Sequence, residues 1–396
     1  MEELPNQAIA AMEKLDIAVD PTLYSPQEEA SSRNDYNSRL TKAIMHYLLN
    51  EAQVPEFQRL YELRKRGWEA PGGDTFFAKQ RRISDKGRAK TAVPYYRIMQ
   101  EIAFDMNRAT GILEIKASTS DADSPPAILD LCMAPGGFLA TALNINPTAQ
   151  ALTFTLAQTE GGDKVVLELH KYNNVTAHFL DITMLATDMG IPAAEFPPSH
   201  PDIARFLPVH FDAEQRFDLA LCDGLVLRTQ ARAAYREKRE ATRLILTQLI
   251  LSLEHLKPGG TMIVLLHRIE APNAVQLLYA FEKFSTLRVY KHAHYHAKRS
   301  SFYMLASDVK TNSKEARELV ERWKRVWRAA TLDVDGDDEM FRQVLEEGAP
   351  RVEDILVEFG ERLVSMGRGL WETQASALED APFMKKNSSR REGWRS

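Results

Sequence analysis

The sequence predicts an α/β protein, with a largely parallel β-sheet covered by helices on both faces and helical extensions at both ends. Three observations predict it. Between about residues 127 and 308, short and nearly continuous apolar runs alternate with helical stretches, the pattern of strands buried on both faces. On either side of that zone the apolar residues recur at helical spacing instead. The chain has 396 residues, 44% of them hydrophobic and 27% charged, which fits a globular protein of one enlarged domain or two to three ordinary ones.

The first zone, 1–126, is mostly helical. Leu40, Ile44, Leu48 and Leu49 mark a helix from Asn37 to Ala52, and a second runs from about Pro94 to Met106. Between them Ala70-Pro71-Gly72-Gly73-Asp74 reads as a loop, and Ser118–Pro126 reads as a linker. In the middle zone, 127–308, the runs Ala127–Met133, Leu152–Ala157, Val175–Leu180, Phe217–Cys222, Met262–Leu266, Leu287–Tyr290 and Phe302–Ala306 read as strands. Phe138–Leu143, Ala231–Leu256 and Asn273–Phe284 read as helices, and the proline-rich span Ile191–Pro208 as an excursion beside the sheet. The last zone, 309–396, is helical again, with a Ser313 cap and Leu319, Trp323, Val326 and Trp327 on one face. The acidic loop Asp333–Glu339 interrupts it, and the tail Lys385–Arg391 is polar and basic.

Lys and Arg total 50 against 55 Asp and Glu, a net charge of −5. That balance excludes nucleic-acid binding by bulk charge and leaves room for a local basic patch. The two cysteines, Cys132 and Cys222, exclude a disulfide framework and fit a reducing compartment as buried thiols. No stretch approaches the roughly 20 apolar residues that span a bilayer, and the acidic N-terminus lacks the features of a signal peptide. The expectation is an intracellular protein of the cytoplasm or nucleus.

Chemistry concentrates in three motifs. In Ile128-Leu129-Asp130-Leu131-Cys132-Met133-Ala134-Pro135-Gly136-Gly137-Phe138 a buried strand ends in a glycine turn and a helix follows at once. Gly136 and Gly137 remove side chains where a ligand could approach the helix start, whose free N–H groups favour a carboxylate or phosphate. Phe217-Asp218-Leu219-Ala220-Leu221-Cys222-Asp223-Gly224 ends with Asp223 where ligands sit in open α/β sheets, while Asp218 at the strand's entry reads as structural. In Leu256–Arg268 a helix stops at Pro258-Gly259-Gly260 and a strand runs on to His267.

In this order the three motifs resemble the S-adenosylmethionine-dependent methyltransferases of the FtsJ-like ribose 2′-O-methyltransferase family, over roughly residues 95–308. The resemblance implies a Rossmann-like methyltransferase sheet, mostly parallel with the last strand antiparallel, and S-adenosyl-L-methionine as cofactor. Asp130, Ala134, Pro135, Gly136, Gly137 and Phe138 would hold its amino-acid end, Asp181 its adenine, and Gln158 or Glu160 its ribose, with Asp223 beside the methyl group. The family's Lys-Asp-Lys-Glu tetrad keeps only its Asp, as Asp223. Arg97, Leu265 and Ser301 stand at the other three positions.

Arginine stays protonated, so Arg97 can orient a substrate but cannot act as a base. His267 shares a strand face with Leu265, nearer the mouth, and the neighbouring fourth strand would bring Asp223 to it. An imidazole with an ordinary pKa of about 6.5 can remove a hydroxyl proton near neutral pH. The expectation is His267 as general base, oriented by Asp223. His292, His294 and His296 alternate, but no Cys or carboxylate cluster joins them, so they read as a polar loop beside the substrate mouth and no metal is expected. Between Arg64 and Arg97 ten Lys and Arg side chains interleave with aromatics such as Tyr61, Phe76, Phe77, Tyr95 and Tyr96, which suits RNA phosphates and bases or a solvated helical surface. The implied acceptor is an RNA ribose 2′-hydroxyl; the alternatives are a small-molecule hydroxyl, as in secondary metabolism, or a donor-binding scaffold without catalysis.

Overall fold

Seven strands form a single sheet: β1 (Ala127–Asp130), β2 (Gln150–Thr155), β3 (Val175–Phe179), β4 (Phe217–Cys222), β5 (Leu256–His267), β6 (Thr286–Tyr290) and β7 (Ser301–Val309). The computed structural model describes residues 36–69, 92–116, 125–226, 230, 232–334 and 338–381. The strand order is β3-β2-β1-β4-β5-β7-β6. Strands β1 to β5 pair in parallel, and β7 runs antiparallel between β5 and β6. From β1 the chain winds first toward β3 and later toward β5, so β1 and β4 flank the switch point where open sheets bind ligands. Each expected strand is present, and their continuous apolar character follows from burial on both faces.

One face of the sheet, with Ile128, Leu219, Leu221, Ile263 and Leu305, packs on the helix over residues 92–110 and on the helix Gly137–Ile145. The opposite face, with Leu129, Ala220, Met262, Val264 and Met304, packs under the helices Glu240–His255 and Pro272–Glu282. In chain order the helices are α1 (Tyr36–His46, continued by a π-turn to Glu51), α2 (Pro55–Glu69), α3 (92–110), α4 (Gly137–Ile145), α5 (Glu240–His255), α6 (Pro272–Glu282), α7 (Lys314–Leu332), α8 (Asp338–Glu346) and α9 (Val352–Glu379). The two terminal zones meet on this second face, α2 along α9 and α7 along α5, in one core with the sheet. Glu270, 4% exposed, ties them together. It takes Arg64 of α2 at 2.6 Å and the Trp371 indole of α9 at 3.1 Å. Burial alone would raise its pKa, but Arg64 and Arg268 hold it down to about 2.

The Ser313 hydroxyl caps α7 by accepting from the Ala316 N–H at 3.1 Å. Trp323, Val326 and Trp327 are buried, with Leu319 partly so. The helix expected from Ala231 begins only at Glu240, after a short 3₁₀ turn at Ala234–Arg236. Arg236 turns inward there, and its side chain is 1% exposed among carboxylates. The proline-rich excursion carries only the short turns Ala193–Glu195 and Ile203–Arg205. The loop Ala70–Asp74, most of the Ser118–Pro126 linker, the tail Lys385–Arg391 and the basic residues from Lys79 to Lys90 lie outside the described residues. No helix among the described residues is long and apolar enough to cross a membrane.

Candidate active site

A cavity opens at the carboxyl ends of the central strands, under α3. Asp223, just past β4, lines the cavity, and Asp130, at the end of β1, lies buried behind the wall, where register places it beside Leu221. Asp130 is 2% exposed and accepts only the Cys132 N–H, at 3.2 Å. Burial, with Asp223 next to it, pushes its pKa up. Burial likewise pushes Asp223 up to about 7. Two neighbouring carboxylates taken out of water cannot both ionise unless a cation joins them. This side of the cavity asks for positive charge.

The glycine turn serves a different purpose from the expected one. Gly136 has a φ of 104°, and a Cβ there would lie 2.7 Å from the Leu167 Cβ. At Gly137 a Cβ would come within 2.4 Å of the Tyr96 carbonyl and 2.6 Å of the Met99 Cβ. These glycines admit Leu167 and α3, not a ligand. Pro135 accepts from the N–H groups of Val166 and Leu167, at 3.0 and 3.2 Å, and Phe138 is buried against the Tyr303 ring. Of this turn, Cys132 and Ala134 line the cavity. Pro135, Gly136, Gly137 and Phe138 shape it from behind.

At the β3 end Asp181 lines the cavity and begins a 3₁₀ turn, its Oδ1 accepting from the N–H and hydroxyl of Thr183 at 3.0 and 2.7 Å. Its Oδ2 lies 3.6 Å from Arg236 Nη1. Arg236 also faces Asp202 and Glu240, both at 3.3 Å, and Glu240 passes on to Arg243 at 2.7 Å. Arg243 is fully buried and donates to the Thr183 carbonyl at 2.8 Å and the Thr331 hydroxyl at 2.9 Å. Glu160 lines the cavity and pairs with Arg205 at 3.4 Å, whereas Gln158 is exposed and does not line it. Asp163 lines it too, although no motif marks that residue in the sequence.

The far end is set by the β5–β7 ladder. Cys222 pairs with Val264, so Asp223 continues beside Leu265, and Leu265 in turn pairs with Tyr303. His267 pairs with Ser301, two residue pairs farther out, and its Nδ1 lies 3.1 Å from the Ser301 hydroxyl. Leu265, Ser301 and Tyr303 line the cavity; His267 does not. Register thus sets His267 apart from Asp223, and the expected pair does not form around the cavity. Arg97 is exposed. The buried face of α3 carries Ile98, Met99, Ile102 and Met106, and Tyr95, Met99 and Ile102 are the α3 residues that line the cavity. His292 bonds Asp105 at 3.2 Å while His296 stacks on Tyr303. The described residues contain no group of three metal-ligating side chains.

The model of the FtsJ-like methyltransferase family matches residues 105–309. The chain belongs to the FtsJ-like methyltransferase family. No curated protein matches the sequence closely enough to stand as a relative. Three solved structures illustrate the likeness. An amino pentose methyltransferase of calicheamicin biosynthesis from Micromonospora echinaspora, solved with SAM bound, has a TM-score of 0.23 at 17% identity over 42% of this chain and 50% of its own. The fibrillarin/Nop5p complex has a TM-score of 0.29 at 12% identity over 46% and 72%. An rRNA methylase from Streptococcus thermophilus has 0.29 at 14% over 54% and 94%. The chain thus spans half the length of the first of these.

As an FtsJ-like methyltransferase the protein uses S-adenosylmethionine as its cofactor. The cavity fits it chemically. The donor carries an ammonium and a sulfonium, and the paired buried carboxylates Asp130 and Asp223 lack the cation that would let both ionise. Asp181 supplies acceptor oxygens on the same cavity wall.

Proposed function

We propose that this FtsJ-like methyltransferase transfers the methyl group to a hydroxyl oxygen, and that the acceptor is a ribose 2′-hydroxyl of RNA. The observation that carries the reading is the place of Asp223, a half-buried carboxylate on the cavity wall between the Asp181 end and the Leu265–Ser301 end. In this reading Ala134 meets the donor's amino-acid end from the cavity wall, and Asp130, Pro135, Gly136, Gly137 and Phe138 hold that turn from behind. Asp181 takes the adenine amino group, and Glu160 or Asp163 the ribose hydroxyls. The bound cofactor supplies an electrophilic methyl carbon.

Asp223 then has two tasks. Its carboxylate offsets the positive charge in the site, and it holds the methyl-bearing end of the donor in place for attack by the acceptor oxygen. Tyr95 and Tyr303 offer aromatic surface at the acceptor end, which suits a base or sugar beside the reacting hydroxyl. The tetrad is degenerate in this reading. Leu265 and Ser301 replace its lysine and glutamate, and Arg97 lies at the outer surface of α3, where it meets the acceptor's phosphates. Residues 127–308 form the catalytic unit, and the two helical extensions brace it.

Calorimetry with S-adenosylmethionine and S-adenosylhomocysteine tests the donor site, and neither binding would refute the whole reading. A labelled-methyl screen over RNA and a cell-extract metabolite pool tests the acceptor. Label in RNA is expected. Label in a metabolite instead would assign a small hydroxyl compound, and donor binding without any transfer would leave a scaffold.

A further inference from the structure

We infer that His296 is the catalytic residue that takes the acceptor's proton, supplied from the β6–β7 connection to the place beside Leu265; this rests on the methyl-transfer reading above. His296 lines the cavity and is 5% exposed. Its Nδ1 is buried and has no hydrogen-bond partner among the described residues. The ring lies over Tyr303, centroids 5.5 Å apart and planes at 27°, and Tyr303 is the register partner of Leu265. The imidazole therefore stands over the strand pair on which the family's central lysine falls. A buried polar nitrogen without a hydrogen bond destabilises the fold, and a substrate hydroxyl that reaches it from the cavity would satisfy it.

The surroundings fix its charge. Burial first, then Arg299, Lys291, His292 and His267, hold its pKa well below the ordinary imidazole value. It is neutral at pH 7 and, with its proton on Nε2, keeps an unbonded lone pair at Nδ1. As the acceptor oxygen bonds to the methyl carbon, the carbon–sulfur bond breaks and its electron pair stays on the donor's sulfur. The hydroxyl proton passes to Nδ1. A weak base suffices, because that proton becomes strongly acidic once the oxygen is alkylated. The neighbouring cations then favour its release.

The test compares wild type with His296→Ala and His296→Gln. Calorimetric binding of S-adenosylhomocysteine is expected within about twofold of wild type, since Asp181 and Asp130 are untouched; if His296→Ala loses it through misfolding, His296→Gln carries the comparison. Labelled-methyl transfer to an RNA with free 2′-hydroxyls is expected to fall about 100-fold in both variants, and free imidazole restores part of it to His296→Ala. In ¹H–¹⁵N spectra the wild-type ring is expected to stay neutral from pH 8 to about pH 6. Its Nδ1 resonance shifts when RNA is added to the S-adenosylhomocysteine complex. Unchanged transfer in both variants, or an unmoved Nδ1 resonance, overturns the assignment and leaves the methyl-transfer reading standing. Wild-type protein that binds donor yet methylates no hydroxyl overturns that reading and the assignment with it.

Discussion

The two ends of the cavity are held by opposite means. At the Asp181 end the chain leaves β2 and β3 in long connections with no regular helix, and ionic contacts take the place of regular structure: Asp181, Arg236, Asp202, Glu240 and Arg243 form a buried relay that reaches Thr331 at the end of α7. At the Leu265 end the lining comes from β5 and β7, whose ladder fixes each position, and the lining residues Leu265 and Ser301 carry no charge. Loops need specific buried partners to hold a binding geometry, whereas paired strands hold one through backbone hydrogen bonds alone. Charge at the second end can therefore be lost without loss of the fold.

Substitutions at each end should separate these two means. The largest effect is expected at their junction. Asp223→Asn should lower turnover about 10³-fold and at the same time stabilise the donor-free protein. Its folded pKa of about 7 lies above the ordinary carboxylate value of about 3.9. Between those values the folded state binds more protons than the unfolded one, so the group costs stability as pH rises from about 4 to 7 and above. Melting at pH 8 should show Asp223→Asn more stable by on the order of 2 kcal/mol; a less stable variant would mean that the Asp223 charge is already compensated.

Next comes the ionic relay. Arg243→Ala removes one of the two arginines facing Glu240 and the donor of the Thr183 carbonyl and Thr331 hydroxyl, and is expected to cost about 3–5 kcal/mol by urea denaturation, while Ser301→Ala at the ladder end costs less than about 1 kcal/mol. Equal costs would erase the contrast between the two ends.

A smaller effect is expected in donor binding. Affinity for S-adenosylmethionine should rise with pH up to about 7, by up to about tenfold per unit as Asp223 loses its proton to the donor's charge. Asp223→Asn should flatten that dependence in calorimetry. The smallest concerns His267, which does not line the cavity and whose Nδ1 lies 3.1 Å from the Ser301 hydroxyl. His267→Ala should reduce turnover by less than about tenfold, and a loss near 100-fold would return the base to His267.

Much of this architecture is legible in the sequence, for reasons that differ by element. The central strands are legible because burial on both faces demands apolar runs such as Leu219–Cys222. The string Asp130–Phe138 is legible as a ligand-side turn, yet the reason for its glycines is not. The Tyr96 carbonyl that excludes a side chain at Gly137 comes from 41 positions earlier in the chain. No motif marks Arg236 and Arg239 in the sequence, since carboxylates that face them, Asp181, Asp202 and Asp333, come from other segments. Arg64 reads as part of a basic patch but spends its charge on Glu270. Register accounts for His267. Alternation puts it on the face of Leu265, but a shift of two residue pairs along the β5–β7 ladder decides which of the two reaches the cavity.

The central claim is methyl transfer to a ribose oxygen. Its most direct test is to label RNA with wild-type protein and isotopic S-adenosylmethionine, digest the RNA to nucleosides and locate the label. The account predicts label in 2′-O-methylated nucleosides, and none in an RNA whose 2′-hydroxyls are already methylated. Label on base nitrogen or carbon atoms, or undiminished label in the blocked RNA, would contradict it.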